Sequence, residues 1–307
     1  MNIHKIIIAL LLAMMAVCCS TGVESIGRIT ERDVARYGEK PSSADNEIVE
    51  IAEAESIERW RPGKRFLVTD DRFSVVLDAT TDSATQHLGG KMLTYKGYRY
   101  ARHIDNQESI VLEFMLDSAI YRYDTGKELE ALKSLPTERL LPYVIDMDRI
   151  AAVDSALRNK TYYIRTRNWQ STDRKAIGGL KFVAVNILSV EPGDDVYPMF
   201  VIFDYEGKSY GVRMSWKESA VASATFSRLF SPTDIRRRYK NITDDVWEHI
   251  TCGSVSLGMT KEECSLSMGS PEQIDRATNH AGLYERWSYS NGAYLIFENG
   301  ILQKYRR

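Results

Sequence analysis

The sequence predicts an α+β fold: two β-rich, barrel-like modules joined by short helices, then a C-terminal two-layer domain of a helix and a three-strand meander. Three observations lead to this prediction. Strand-like runs dominate the chain from Pro62 to Trp216, and short helical segments separate those runs. A helix-start signal followed by two Asn-Gly turns then closes the chain, and Asn-Gly between strand-like runs favours a hairpin.

Changes in composition divide the chain into seven segments. A mature chain of roughly 290 residues is long enough for two or three domains. The segments are 1–18, a signal peptide; 19–60, a tether with short helices at 30–37 and 47–60; 61–127, the first β-rich module; 128–157, a helical connector; 158–217, the second β-rich module; 218–250, a second helical connector; and 251–307, the C-terminal domain.

The N-terminus has the pattern of a bacterial export signal. Lys5 precedes the apolar run 6–17, and Cys18 and Cys19 follow that run. The run is shorter than the roughly 20 apolar residues that span a bilayer. A cysteine here resembles the lipoprotein signal, which implies that Cys19, or alternatively Cys18, is acylated and tethers the protein to a membrane. We therefore expect a cell-envelope protein on the outer membrane, facing the periplasm; an ordinary secretory signal is the alternative.

Strand-like runs define both modules. Those of the first module are 63–68, 73–77, 110–114 and 119–123, and those of the second are 159–164, 181–190, 199–205 and 208–216. Val111 to Phe114 align with Phe200 to Phe203 at an offset of 89 residues, and Tyr121 aligns with Tyr210 at the same offset. One hypothesis is that the two modules arose by duplication. The other explanation is that apolar residues alternate in both modules by chance.

The connectors carry helix signals. Helices are predicted over 128–135, 148–157, 218–230, 234–239 and 243–250. In the third of these, Val221, Phe226 and Leu229 share one helical face, and Ser231 followed by Pro232 has the pattern of a helix start.

The C-terminal segment has the clearest local signals. Thr260 and Glu263 form a capping box, Gly269 ends that helix, and three strands follow over 284–289, 293–298 and 301–305. Gly253, Gly258-Met259-Thr260, Gly269, Pro271, Trp287-x-Tyr289 and Phe297-x-Asn299-Gly300 resemble the SmpA/OmlA-like family, small lipoproteins of the β-barrel assembly machinery. The resemblance covers about a fifth of the chain and implies an envelope location and a docking surface of helices against a sheet.

Composition and motifs exclude several kinds of chemistry. The formal net charge of −2 gives no positive footprint for nucleic acid. The five histidines have no metal-binding spacing, and the glycines form no phosphate-binding loop. We therefore expect a protein that is not an enzyme and has no catalytic residue, metal ligand or small-molecule cofactor.

The candidate site residues are cysteines, tyrosines and arginines. Cys252 and Cys264 can form one disulfide in an oxidising periplasm, or Cys264 can be a buried free thiol. Trp287 is expected in the core. The residues assigned to an interaction face are Tyr289, Tyr294, Arg236, Arg237 and Arg238.

Two hypotheses for function follow. The first is a non-catalytic scaffold or binding module for another envelope protein or for the cell wall. The second is a protein inhibitor or ligand sensor that uses an exposed loop, with residues 95–102 as the candidate loop or ribbon because tyrosines and arginines alternate there.

Overall fold

The computed structural model describes Ile48 and residues 55–79, 87–104, 106–135, 137–279 and 282–306, without the side chains of Glu138 and Asn279. The chain forms two compact units, and the boundary between them falls after Asn241. Three antiparallel sheets contain most of the ordered elements, so the fold is α+β with few helices. The predicted signal, Cys18, Cys19 and the helix at 30–37 lie outside the described residues, as do residues 47 and 49–54 of the helix predicted at 47–60.

The first module contains a six-stranded sheet in the order β2-β5-β4-β3-β1-β6. Its strands are β1 (Arg65–Val68), β2 (Leu77–Ala79), β3 (Met92–Arg102), β4 (Glu108–Leu116), β5 (Ala119–Asp124) and β6 (Val144–Asp146). Aromatic side chains fill its core, where the Phe114 ring contacts the rings of Phe66 and Tyr95.

Three helices follow β5. They are α1 (Leu129–Leu132), α2 (Thr137–Leu140) and, after β6, α3 (Met147–Leu157). Asp146 begins α3 because its carboxylate accepts the amides of Asp148 and Arg149, which an N-cap side chain does for the free amides of a first turn. Helix α3 contacts both β1 and the second sheet, so it joins the two modules within the larger unit.

The second module contains a seven-stranded sheet in the order β13-β7-β10-β11-β12-β8-β9. Its strands are β7 (Thr161–Ile164), β8 (Asn168–Gln170), β9 (Ala176–Gly178), β10 (Val183–Pro192), β11 (Met199–Tyr205), β12 (Lys208–Met214) and β13 (Phe230–Ser231). The short helix α4 (Phe226–Leu229) precedes β13. Buried residues of α3, β7, β10, β11 and β12 form one core cluster.

The two sheets share a strand order and a register. Read from one edge, the first is β6-β1-β3-β4-β5-β2, and the second is β13-β7-β10-β11-β12-β8 followed by β9. Phe114 pairs with Tyr121 in the first sheet as Phe203 pairs with Tyr210 in the second. Beside each of these phenylalanines, the neighbouring long strand (β3 or β10) carries one register shift. The equivalent strands therefore place equivalent residues toward each core.

The smaller unit packs two helices and a four-stranded sheet. Its elements are α5 (Asp244–Thr251), α6 (Lys261–Met268), β14 (Gln273–Asn279), β15 (Gly282–Ser288), β16 (Tyr294–Glu298) and β17 (Ile301–Arg306). The capping box of Thr260 and Glu263 is confirmed. Asn299 and Gly300 both have positive φ (51° and 84°), as a two-residue hairpin turn requires.

The predicted three-strand meander is wrong in its strand number, because a fourth strand, β14, pairs with β15 along its whole length. Among the β14 residues with described side chains, none is fully buried, and Asp275, Ala277 and Thr278 are exposed. An edge strand of this kind lacks the apolar alternation by which strands are predicted. Its pairing with β15 defines it instead.

Two further elements differ from prediction. Residues 73–77 were expected as a strand, but Asp71–Val76 is a 3-10 helix capped by the Asp70 carboxylate. The helix predicted over 218–230 is reduced to α4, and Val221 is exposed. Ser231 does not begin a helix; it pairs with Tyr163 in the sheet.

Candidate functional site

A cavity of about 280 Å3 lies between the two modules of the larger unit. We call it the intermodule cavity. Thr137, Tyr143 and Asp146 line it from the segment that runs from α2 through β6. Asp195 and Pro198, from the turn between β10 and β11, and Trp216, which follows β12, line it from the second module.

Two tight backbone turns shape the cavity wall. Tyr143 has a φ of 59°, a left-handed conformation that costs a bulky residue on the order of 1 kcal/mol. Its carbonyl accepts the amide of Thr69 at 2.9 Å, which holds the turn against the end of β1. On the other wall, the Asp194 carboxylate accepts the amides of Val196 and Tyr197 at 2.9 and 2.8 Å, so the β10–β11 turn is fixed by its own side chain.

The polar groups of the cavity differ in how well they are satisfied. Asp146 is 3% exposed, and its Oδ2 lies 2.9 Å from Lys64 Nζ. Burial raises the pKa of Asp146, although the Lys64 charge opposes the shift. Thr137 is 2% exposed, and its Oγ1 has no hydrogen-bond partner among the described residues. Asp195 is exposed and accepts the hydroxyl of Thr69, so one carboxylate of the cavity meets solvent.

Both aromatic rings of the cavity contact guanidinium groups. The Cζ of Arg72 lies 4.3 Å from the Tyr143 ring centroid, and the Cζ of Arg149 lies 4.0 Å from that of Trp216. Ring faces attract cations through their quadrupole. The two contacts therefore fix the rings and show that cations are accommodated next to this cavity.

A second candidate surface lies at the outer end of the β3–β4 hairpin. Tyr98 is 39% exposed, Tyr100 is 62% exposed and Ile104 is fully exposed; we call these three residues the tyrosine ribbon. The two tyrosine rings meet edge to face, with centroids 6.0 Å apart. Residues 95–102, predicted as a loop or ribbon, belong to strand β3. A strand holds these side chains more rigidly than a loop does.

The outer half of β3 has one open edge. Strand β1 pairs with β3 only between Met92 and Thr94. Beyond these residues β3 pairs only with β4 among the described strands, through to Arg102. Unpaired amides and carbonyls of an edge strand are available to another strand.

The predicted tyrosines of the smaller unit do not form an exposed face. Tyr289 is half-buried and donates its hydroxyl to the Gly269 carbonyl at 3.3 Å, and burial raises the pKa of its phenol. Tyr294 is also half-buried, with the Arg286 guanidinium 4.9 Å from its ring centroid. Trp287 is 6% exposed, which confirms its predicted place in the core.

The proposed disulfide between Cys252 and Cys264 is not formed: both cysteines are free. Cys252 follows the end of α5 and is exposed, whereas Cys264 lies on the buried side of α6 with no exposed surface. One thiol therefore meets solvent, and the other is enclosed. Burial raises the pKa of Cys264 to about 12.

Arg236, Arg237 and Arg238 lie in a single 3-10 helix, Ile235–Arg238. Three residues complete one turn of such a helix, so consecutive side chains point in different directions. Arg236 donates to the Tyr239 carbonyl at 3.1 Å, and the Arg237 Nε lies 3.8 Å from Asp234. The structure therefore does not bring the three guanidinium groups together in one patch.

A buried charge cluster surrounds Lys64 in the first module. The Lys64 Nζ lies within 4 Å of carboxylates of Glu55, Asp146 and Asp148, and this cluster ties the start of β1 to the start of α3. No group of three or more His, Cys, Asp or Glu side chains within the described ranges could hold a metal ion.

No single sequence motif predicts the intermodule cavity. Its residues come from three separate segments, 137–146, 195–198 and position 216, and none of these segments carries a binding motif in the sequence. The positive φ of Tyr143 follows from tertiary packing, because a local pattern would place Gly or Asn there.

Searches of protein-family models, curated proteins and solved structures give no match to this chain. The structure thus defines an α+β protein with a cavity between two similar sheets, a projecting aromatic ribbon and a separate small unit. Among the described helices, none combines the length and apolarity that crossing a bilayer requires.

Proposed function

We propose that this protein is a non-catalytic lipoprotein of the cell envelope that acts as a scaffold or binding module for another envelope protein. The pattern ending at Cys19, with Cys18 as the alternative site, supports a lipid anchor on the outer membrane facing the periplasm. The SmpA/OmlA-like residues of the C-terminal segment support the same location.

The tyrosine ribbon is the observation that carries this proposal. In the second module, α3 lies against β10, and the Asp154 carboxylate accepts the amide of Val190 at 2.7 Å. The shared register makes Tyr98 the equivalent of Val190. Tyr98 and Tyr100 have no comparable cover, since both are exposed. Exposed aromatic side chains are typical of the central contacts of protein interfaces.

The shared register also supports a duplication in which each module is a small, barrel-like curled sheet. In the second copy helix α3 lies against the long strand β10, while in the first copy no described strand other than β4 pairs with the outer half of β3. An extended segment of a partner adds to such an edge through main-chain hydrogen bonds. The partner of this proposal is therefore a protein with an exposed strand.

Site-specific photo-crosslinking in native membranes tests the proposed partner surface. A benzoylphenylalanine replaces Tyr100 in one strain and Val75 in another; Val75 is 84% exposed in the same module but lies outside the ribbon. We expect one defined protein adduct from position 100 and none of that mass from position 75. The same adducts from both positions, or none from position 100, would contradict the proposal.

Metabolic labelling with a palmitate analogue tests the anchor. We expect label in the wild-type chain and in Cys18→Ala, and none in Cys19→Ala. Label that persists in Cys19→Ala but disappears in Cys18→Ala assigns the alternative site, whereas an unlabelled wild-type chain rejects the anchor.

A ligand sensor is the second candidate function, and the intermodule cavity favours it. Small-molecule sites occur preferentially at the junctions between domains. In this reading the cavity detects a small ligand while the tyrosine ribbon contacts a partner.

A further inference from the structure

We propose that the open edge of β3 binds an acidic extended segment of the partner, which pairs through its main chain with Tyr98 and Tyr100. This inference rests on the proposed function and adds the chemistry of the partner strand. It comes from a comparison of β3 with β10, the equivalent strand of the second module. The two strands share a register, but only β10 has a protected outer edge.

Strands β3 and β10 direct equivalent main-chain groups to the same side. Tyr95 donates its amide to the Lys64 carbonyl at 2.8 Å, and Ile187 donates its own to the Lys160 carbonyl at 3.0 Å. Both carbonyls belong to the segments that lead into β1 and β7, which lie across from β4 and β11. Main-chain groups alternate in direction along an antiparallel strand. The residues that follow in the shared register therefore direct equivalent amides to this edge.

The second module closes the edge at two successive positions. Val190, the equivalent of Tyr98, donates its amide to the Asp154 carboxylate at 2.7 Å. Pro192, the equivalent of Tyr100, has no amide to donate. Proline residues and covering elements are means by which edge strands avoid pairing with other chains. Strand β10 is therefore protected against the addition of a strand.

The first module has neither form of protection. Tyr98 and Tyr100 are exposed, and their amides have no acceptor on the open side among the described residues. Glu58 precedes β1 by as many residues as Asp154 precedes β7, but its carboxylate lies 3.0 Å from Lys133 Nζ. The amide of Tyr98 is therefore not covered as that of Val190 is. An added strand would supply carbonyl acceptors for both tyrosine amides.

The charges of β3 favour an acidic segment over a second copy of this chain. The charged residues of its outer half are Lys96, Arg99 and Arg102, and none is acidic. Arg102 pairs with an acid of β4, but Lys96 has no ion pair among the described residues, and Glu113 is shared by Arg99 at 3.5 Å and Arg122 at 3.0 Å. Opposite charges directly across two strands stabilise the pair, and like charges destabilise it. Two copies joined at this edge would bring basic side chains together, whereas an acidic strand would compensate them.

Three peptides test the proposal on the full mature chain. The first alternates valine and glutamate over seven residues, so that valines can lie beside the tyrosines and glutamates beside Arg99. The second has lysine in place of each glutamate, and the third is the acidic peptide with alternate amides N-methylated. Binding is measured by fluorescence anisotropy and by NMR of assigned amides. We expect the acidic peptide to bind about tenfold more tightly than either other peptide and to shift the amide signals of Tyr98 and Tyr100.

Variants of the protein locate the pairing. Tyr100→Pro copies Pro192 and removes one outward amide, and we expect about a tenfold loss of affinity for the acidic peptide. Tyr100→Phe keeps both the amide and the ring, so its affinity should be unchanged. Arg99→Gln should reduce the preference for the acidic peptide over the lysine peptide, whereas Lys208→Gln, at an exposed site of β12, should not. The N-methylated peptide tests main-chain pairing on the unaltered protein, whether or not Tyr100→Pro folds.

The outcomes separate this proposal from its alternatives. Equal binding of the acidic and lysine peptides, or of the acidic and N-methylated peptides, would overturn it. Helical carbon shifts in the bound acidic peptide would also overturn it, as would a wild-type dimer that Tyr100→Pro dissociates, which would assign a second copy to this edge. An adduct from photo-crosslinking at position 100 together with equal peptide binding rejects the acidic strand alone. A missing adduct rejects the proposed function, even where the acidic peptide binds.

Discussion

At the scale of single residues, the two body cysteines have opposite environments. Cys252 is exposed and Cys264 has no exposed surface. Thiolate is the reactive form of cysteine, and burial raises the pKa of Cys264 to about 12, so this thiol stays protonated at pH 8. The protein therefore offers one reactive thiol in its C-terminal unit.

We predict that Ellman's reagent at pH 8 titrates one cysteine of a soluble chain that begins after Cys19, and two after denaturation. Cys252→Ser should abolish the fast reaction, whereas Cys264→Ser should leave it intact. Two thiols that react only after reduction would instead establish a disulfide.

Glu285 is the most enclosed carboxylate of the smaller unit for which an ion pair is described. Its side chain is 4% exposed, and it lies 2.9 Å from Lys261 Nζ and 3.4 Å from Arg276 Nε. Trp287 Nε1 donates to its other oxygen at 3.2 Å. Burial by itself raises the pKa of Glu285, but the hydrogen bonds from Lys261 and Trp287 and the two positive charges outweigh burial and lower it below its usual 4.5.

We predict that Glu285→Gln lowers the free energy of unfolding at pH 7 by about 2 kcal/mol, because it leaves two cations with a neutral partner. A lowered folded-state pKa means that the stabilisation is complete above the unfolded pKa and disappears as pH falls through the folded one. The difference between variant and wild type should therefore vanish at low pH in urea titrations. Glu272→Gln, at an exposed site of the same unit, is the control.

At the scale of elements, two adjacent glycines at the end of β9 have different surroundings. A Cβ at Gly179 would lie 2.1 Å from the Trp169 ring, whereas a Cβ at Gly178 would meet nothing within 4 Å. Trp169 is buried and packs against Phe203, Tyr205 and Tyr210. Its ring therefore has little freedom to move away.

We predict that Gly179→Ala destabilises the larger unit by about 2 kcal/mol through overpacking. Gly178→Ala should change stability by less than about 0.5 kcal/mol, as surface substitutions usually do. Equilibrium urea unfolding monitored by Trp fluorescence measures both. Equal effects of the two substitutions would show that Trp169 adapts to the added methyl group.

Elements with local signals could be predicted from the sequence, and elements that depend on distant partners could not. The capping box at Thr260 and the turn at Asn299 are defined by neighbouring residues, and both are confirmed. Strand β14 is identified only by its pairing with β15. The first part of the helix predicted at 218–230 does not form, and Val221, which was expected on its apolar face, is exposed. The intermodule cavity was not predicted for the same reason, since its residues meet only after both sheets form.

At the scale of the whole molecule, each compact unit has its own core and its own buried charges. The larger unit contains both sheets, their two core clusters and the Lys64 cluster. The smaller unit encloses Phe297, Leu295 and Cys264 and contains the Glu285 cluster. A unit with a complete core can unfold as a cooperative whole, and a chain with two such units departs from two-state behaviour.

We therefore predict two transitions in calorimetry of the mature chain, one for each unit. Glu285→Gln should lower the midpoint of one transition and Gly179→Ala that of the other, because neither residue belongs to the other unit's core. Domains of about 60–100 residues shift by roughly 4–8 °C per kcal/mol, so the smaller unit should respond to Glu285→Gln with a shift of about 10 °C. The double variant should show both shifts with little interaction, as expected for residues that share no described partner. A single transition that both substitutions move together would instead show that the chain unfolds as one cooperative body.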